Sequence, residues 1–331
     1  MNQKLHSLLL MVVLLSWSMV IAASDFDDGI LKYTITSPEN LEVQCDGFTD
    51  AHINDESVVI PETVNYNNAT YSVVSIRVGY YAGLGNEVRK ITLPSSLKKI
   101  GDFAFYYCQK IEEIIIPKNV TSIGEWAFCH CQSLESVEIP SSVTSIGDYA
   151  FIGCTNLASL ELSYGIKSIG NGAFQGCTSL ESVKLPNSIE SLGSEAFFEC
   201  VSLTSITLPS NIEIVPPYFV ASCSVLKSIE IPASVKTVWS GAFYQCKTLK
   251  SIICNSLEAP AFRQIPISSA VCNDYLCEPA LASQITLVTP KGAVGYTEAP
   301  WSYFKAPEAL RLTDENASLD AGAYPIGSLT Y

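Results

Sequence analysis

Histidine is nearly absent from this chain. Three occur in 331 residues, and only His52 and His130 lie beyond the first 23. That leaves little for a Ser-His or Cys-His catalytic set, whose nucleophile needs an imidazole beside it. Cations are also short: 19 Lys and Arg stand against 33 Asp and Glu, a formal net charge of −14. Excess acid argues against holding nucleic acid or an anionic membrane through bulk charge. Glycine-rich phosphate loops are missing too. Gly170-Asn-Gly172 has no further Gly at the spacing a dinucleotide loop requires. After residue 23 no apolar run reaches the ~20 residues a membrane-spanning helix needs. What remains is 48% hydrophobic and 16% charged, a composition that folds.

Residues 1–23 read as a secretory signal peptide. Lys4 supplies the positive start, Leu8 to Ala22 is nearly all apolar, and Ala22, Ala23 and Ser24 offer small residues for cleavage. The expected product is exported, without a membrane span once the peptide is removed.

The body of the chain repeats. A unit of 23 residues opens at Ile100, Ile123, Ile146, Ile169, Leu192, Val215 and Val238 with no insertion between them. A period in this range means stacked coils. In the Ile123 unit, Val137 and Ile139 alternate with Ser136 and Glu138, which predicts a short strand with the apolar pair inward. Pro140 removes a donor and ends it. Val143 and Ile146 return to the core at helical or 3₁₀-like spacing. An inward ring follows at Phe105, Phe128, Phe151, Phe174, Phe197 and Phe243. In the Val215 unit the ring moves one place to Phe219, and Pro216-Pro217 replaces the Gly turn, so a local kink is expected. Before the repeats, residues 24–75 read as a small β cap. Ile30–Ile35 and Leu41–Cys45 form a hairpin, and Val58–Pro61 and Tyr71–Ile76 flank the polar turn at 65–68. Residues 76–254 hold the repeats, the first one degenerate, and 255–331 read as an irregular cap and tail.

Seven cysteines, from Cys108 to Cys246, share one repeat position. Stacked coils would bring their Cα atoms ~4.8 Å apart, within disulfide range. Their side chains would run parallel, however, which leaves the Cβ atoms too far apart and favours a reduced, buried ladder. Cys272 and Cys277 lie outside the ladder and are the candidate disulfide in an oxidising compartment. Cys129-His130-Cys131 invites a zinc reading, but the three would not converge and no fourth ligand is suggested, so no metal or other cofactor is expected.

The outward positions carry the candidate binding face. One column holds Glu138, Glu161, Lys184 and Glu230, and a second holds Glu112, Glu135 and Glu181. The face is acidic in its first half and gains Lys227 and Lys250 at its end. It reads either as a polar platform for a basic protein surface or a glycan, or as a sheet face kept soluble by charge. A second candidate patch lies on the outer turns at Tyr107, Trp126 and Tyr149, unless these rings simply pack along adjacent coils.

The spacing Ile-Gly-x-x-Ala-Phe-x-x-Cys-x-x-Leu-x-x-Ile-x-Leu-Pro-x-x-Val resembles the BspA-like, Treponema-type class of leucine-rich repeat. The flanks Gly29–Tyr33 and Val59–Thr63 and the closing Leu-Val-Thr-Pro-Lys-Gly with Trp301 resemble it as well. No Asn ladder follows the strand, which departs from the commonest leucine-rich pattern. The resemblance implies a right-handed leucine-rich repeat solenoid with a parallel β-sheet on the concave face and short helical or 3₁₀ turns elsewhere. It implies secreted or cell-surface proteins, some of them adhesins that bind matrix proteins or partners on other cells. It carries no shared catalytic residues. The expected role is therefore attachment to an extracellular protein, or to a glycan, through the repeat surface. A structural spacer of the envelope and an accessory to glycan processing are the alternatives.

Overall fold

The computed structural model describes residues 26–49, 55–77, 87–264 and 279–305. The 23-residue period becomes a parallel β-solenoid of about eight coils. Each regular coil contributes two short strands, except that the coil opening at Ile100 has only a single bridge, Glu113 to Ser136, in place of the second. Ser136–Ile139 pairs in parallel with Ser159–Leu162, and the register sets Ser136 beside Ser159 and Glu138 beside Glu161. This first ladder continues along the same side in two further separately paired groups, Ser182–Lys184 with Ser205–Thr207, and Ser228–Ile231 with Ser251–Cys254 and Thr286–Val288. The positions expected to be helical or 3₁₀ are instead a second parallel ladder. It runs through Lys99–Ile100, Ser122–Ile123, Ser145–Ile146, Ser168–Ile169 and Ser191–Leu192. A polar residue facing out and an Ile or Leu facing in suffice for a two-residue strand when identical neighbours lie above and below. Among the described residues, the helical elements, Pro279–Ala282 and Trp301–Tyr303, lie beyond the repeats.

The N-terminal cap continues the second ladder. Phe26–Asp27, Leu31–Ser37 and Glu42–Phe48 are antiparallel, and Glu42–Phe48 then runs parallel to Ala69–Ile76, which pairs with Lys99–Ile100. The hairpin partner of Ala69–Ile76 is Thr63–Tyr66, turning at Asn67 and Asn68 with φ of 49° and 62°. Ser57–Val59, expected in that cap, instead starts the first ladder by pairing with Lys90–Thr92. Asn tolerates the left-handed conformation a tight hairpin requires, which explains the turn.

The core is a column of rings. Phe105, Phe128, Phe151 and Phe174 are fully buried, and successive rings stack 4.8 to 5.3 Å apart. Beside them Cys131, Cys154, Cys177, Cys200 and Cys223 each donate the thiol to the carbonyl of the Phe 26 residues earlier, at 3.1 to 3.3 Å. All seven ladder cysteines are buried and none is in a disulfide, as the direction of the side chains predicts. Cys129, in the turn before Cys131, is buried too. Burial pushes its thiol up to about 12, and does the same for Cys200. Cys272 and Cys277 lie outside the described residues, as do residues 1–25 and the tail from 306.

Each coil turns through two left-handed residues. One column holds Phe103, Trp126, Tyr149, Gly172, Glu195, Tyr218 and Gly241. The other holds Tyr107, His130, Gly153, Gly176, Glu199, Ser222 and Gln245. Non-glycine residues there carry backbone strain. Hydrogen bonds from coil to coil hold the turns in place, such as Trp126 N–H to the Asp148 carbonyl and Phe128 N–H to the Ala150 carbonyl.

Candidate ligand face

The first ladder builds the face expected from the sequence. Its strands alternate: Val137 and Ile139 are buried, Ser136 and Glu138 exposed. The parallel register lines up equivalent residues along the solenoid. Glu135 N–H reaches the Glu112 carbonyl at 3.1 Å, and Ala158 N–H reaches the Glu135 carbonyl at 2.9 Å. Glu112, Glu135, Glu138, Glu161, Glu181 and Lys184 are all exposed on this face. Small serines run between the charged columns, with Ser136 beside Ser159, Ser182 beside Ser205 and Ser228 beside Ser251. Ile115 stands at one end of the face, 76% exposed.

The charges on this face differ from those elsewhere. Lys98 pairs with Glu42 at 2.5 Å and Lys167 with Glu190 at 2.6 Å. Lys236 pairs with Glu213, and Lys110 with Glu87. Among the described residues, no ion pair joins the carboxylates of Glu112, Glu135, Glu138, Glu161 and Glu181 to a cation. Glu138 and Glu161 stand side by side, where like charges destabilise a sheet pair by a few tenths of a kcal/mol. Glu230 is different: it is half-buried, and its carboxylate accepts the Asn255 amide at 2.6 Å.

The aromatic patch is divided: Trp126 and Tyr149 lie in one turn column, and Tyr107, which is exposed, lies in the other beside His130. Trp126 stacks on Tyr149 at 4.6 Å, and Tyr107 tilts onto His130 at 4.8 Å. A Cβ on Gly172 would lie 2.5 Å from the Tyr149 ring, and one on Gly153 would lie 2.3 Å from His130. Each ring therefore covers the turn of the next coil, and Tyr149 is covered on both faces. Burial, and then the carboxylates of Glu195 and Asp148, raise the Tyr149 hydroxyl above its usual range. His130 is committed to this stack while the Cys131 thiol donates to Phe105, so the residues of the Cys-His-Cys sequence are directed to different partners.

Sequence reasoning missed an Asp–Asn ladder after the second strand. Asp148 accepts the N–H of Asn171 at 2.7 Å and its side-chain amide at 3.0 Å, and Asn171 in turn accepts the Ser194 N–H at 2.9 Å. Asp102 accepts the Glu125 N–H at 3.0 Å. Asp148 and Asn171, with Ser145, Ser168 and Ser191, line an open groove of about 400 Å³. The signal was present as Ile-Gly-Asp and Ile-Gly-Asn, at the repeat period.

Paired parallel ladders around stacked phenylalanines define a leucine-rich repeat solenoid. The model for the BspA type leucine rich repeat region matches in six copies over residues 74–174 and 154–268, more than half of the chain, and the chain belongs to that family. Its structure is similar to a leucine-rich repeat protein from Bacteroides ovatus ATCC 8483, at 24% identity and a TM-score of 0.54, covering 86% of this chain and 79% of that one. It is also similar to the leucine rich repeat protein of T. pallidum, at 24% identity and a TM-score of 0.50, covering 68% and 91%. No curated protein matches. Among the described residues, no helix is long and apolar enough to cross a membrane.

Proposed function

We propose that this chain is exported and works as a surface or secreted binding protein, engaging an extracellular protein through the first-ladder face. The observation that carries the reading is the set of exposed carboxylates at Glu112, Glu135, Glu138, Glu161 and Glu181, with Glu112 stacked on Glu135 and Glu138 on Glu161, all free of ion pairs with cations among the described residues. Aligned like charges repel within the solenoid, and a basic partner relieves that repulsion. The serines between them let such a partner approach closely. Family membership fits a role in binding without chemistry at a shared catalytic site. The test is binding of the purified chain to a panel of matrix proteins and glycans at low and high salt. A saturable protein hit that weakens with salt supports the reading. A hit confined to glycans, or one unchanged by salt, counts against it.

One observation favours a second reading, a structural spacer without a specific ligand. The turn aromatics are used in packing coil on coil, and the described groove is open. Self-association that is insensitive to salt and runs through the caps would favour the spacer.

A further inference from the structure

One boundary between coils differs from the others. The coil carrying Ser191–Leu192 and Ser205–Thr207 precedes the coil carrying Ile214–Val215 and Ser228–Ile231. The second ladder is continuous from Lys99–Ile100 to Ser191–Leu192 and stops there. A separate sheet begins at Ile214–Val215 and runs through Thr237–Trp239 to Ala261–Arg263. The first ladder lacks a registered pairing at two boundaries, between Ser159–Leu162 and Ser182–Lys184 and again between Ser205–Thr207 and Ser228–Ile231, and only the later one coincides with the stop in the second ladder. Among the described repeat coils, this is the boundary at which both ladders lose their pairing.

The residues explain the break. Gly124, Gly147, Gly170 and Gly193 each donate their N–H to the carbonyl of Ile100, Ile123, Ile146 and Ile169, at 2.8 to 2.9 Å. The next position is Pro216, which has no N–H to give to Leu192. The side chains change as well. Phe128 N–H reaches the Ala150 carbonyl and Phe174 N–H reaches that of Ala196, but Phe197 N–H reaches that of Phe219. Phe219 thus stands where other coils carry Ala, and Val220 stands in the ring column, where its carbonyl receives the Cys246 thiol. The parallel ring stack ends here: Phe174 and Phe197 lie 10° apart, whereas Phe197 meets Phe219 at 83°. Ile214, in a column of outward serines, is 51% exposed.

The turns still hold. Glu195 N–H reaches the Pro217 carbonyl, Glu199 N–H that of Ala221, and the Cys223 thiol that of Phe197. We infer that this boundary is a conformational joint, fastened along the turns and open along both ladders, dividing the solenoid into two cooperative blocks. The joint falls across the candidate face. Glu112 to Glu181 lie on the first block, and Lys227 and Lys250 on the second, so bending there changes the angle between the acidic and basic parts. Within the first block the second ladder is unbroken from Lys99–Ile100 to Ser191–Leu192, and within the second block both ladders pair from coil to coil, which is where nearest-neighbour stability resides in a repeat array.

Native-state hydrogen exchange of the full chain at rising urea tests this. The expected result is two families of amides that divide between 192 and 214, with the 214–254 family opening at least about tenfold more often. A single family, or a division elsewhere, overturns the joint. Pro216→Ala restores the missing donor. It is expected to slow exchange at 214–215 and draw the two families together, and an unchanged division would overturn the role given to Pro216. Because the wild-type result alone decides the main claim, a poorly folding variant does not shield it.

Discussion

Replacing Phe151 by Ala removes the ring at the centre of the core column. That side chain is fully buried, 4.8 Å from Phe128 with the planes 6° apart and 5.3 Å from Phe174 with the planes 8° apart. Truncating a buried Phe to Ala costs about 3–5 kcal/mol. Part of that cost is shared with the neighbours, because a stacked aromatic pair is worth about 0.5–1.5 kcal/mol beyond its buried area. Phe128→Ala should cost a similar amount. The double variant should then cost less than the two singles together, by about that same 0.5–1.5 kcal/mol. Phe128 and Phe219 do not touch, so their double variant should be additive within about 0.5 kcal/mol. Urea unfolding followed by circular dichroism measures all of these, with midpoints converted through the slope. A Phe151→Ala cost below about 1 kcal/mol, or no coupling between Phe128 and Phe151, would refute the idea that stacked rings bind coil to coil.

Alkaline pH should unfold the chain. Burial raises the thiols of Cys45, Cys129, Cys131, Cys154, Cys177, Cys200 and Cys223 above their ordinary value, with Cys45 pushed up to about 12. The folded state therefore keeps protons that the unfolded state releases. Stability is full below the unfolded thiol pKa of about 8.5 and falls as pH rises toward the folded values, by about 1.4 kcal/mol per pH unit for each thiol. Circular dichroism against pH checks this, and a flat signal from pH 8 to 11 would contradict it. Gly165→Ala should destabilise by about 1–3 kcal/mol, because φ there is +154° and the new Cβ would meet the Ser141 carbonyl oxygen at 2.1 Å. Thermal melts of the variant test that loss. Chain secreted from its producing cell should begin near Ser24, which mass spectrometry of the amino terminus reads directly.

The exact 23-residue period made much of the fold legible. Once the period is known, the parallel register follows, and with it the columns of Glu135, Glu138 and Glu161 and the inward ladder of Cys131 and its equivalents. Alternation over four residues, as in Ser136–Ile139, is long enough to read as a strand. The second ladder was hidden because Ser145–Ile146 offers only two residues, too few to show a period of two. The turn geometry was hidden for a different reason. Left-handed positions usually announce themselves as Gly or Asn, but here they are filled by Trp126, Tyr149, His130 and Glu195 in most coils. Gly172 and Gly153 at the same repeat positions were the available clue. Trp126 and Tyr149 could be placed together from spacing, but not the direction of their rings, since that depends on the glycine in the coil beyond. The start of the first ladder at Ser57–Val59 was likewise obscured, because its partner Lys90–Thr92 lies a whole coil away.

The most direct test of the proposed function is the affinity of the chain and of its Glu135→Lys, Glu138→Lys, Glu161→Lys triple variant for a protein partner found in the panel, measured at the same low salt. All three side chains are exposed, so the variant should fold as the parent does, which circular dichroism verifies. The account predicts binding weakened about tenfold or more, with the loss shrinking as salt is added. Equal affinity of parent and variant would contradict the assignment of the acidic ladder face as the binding surface.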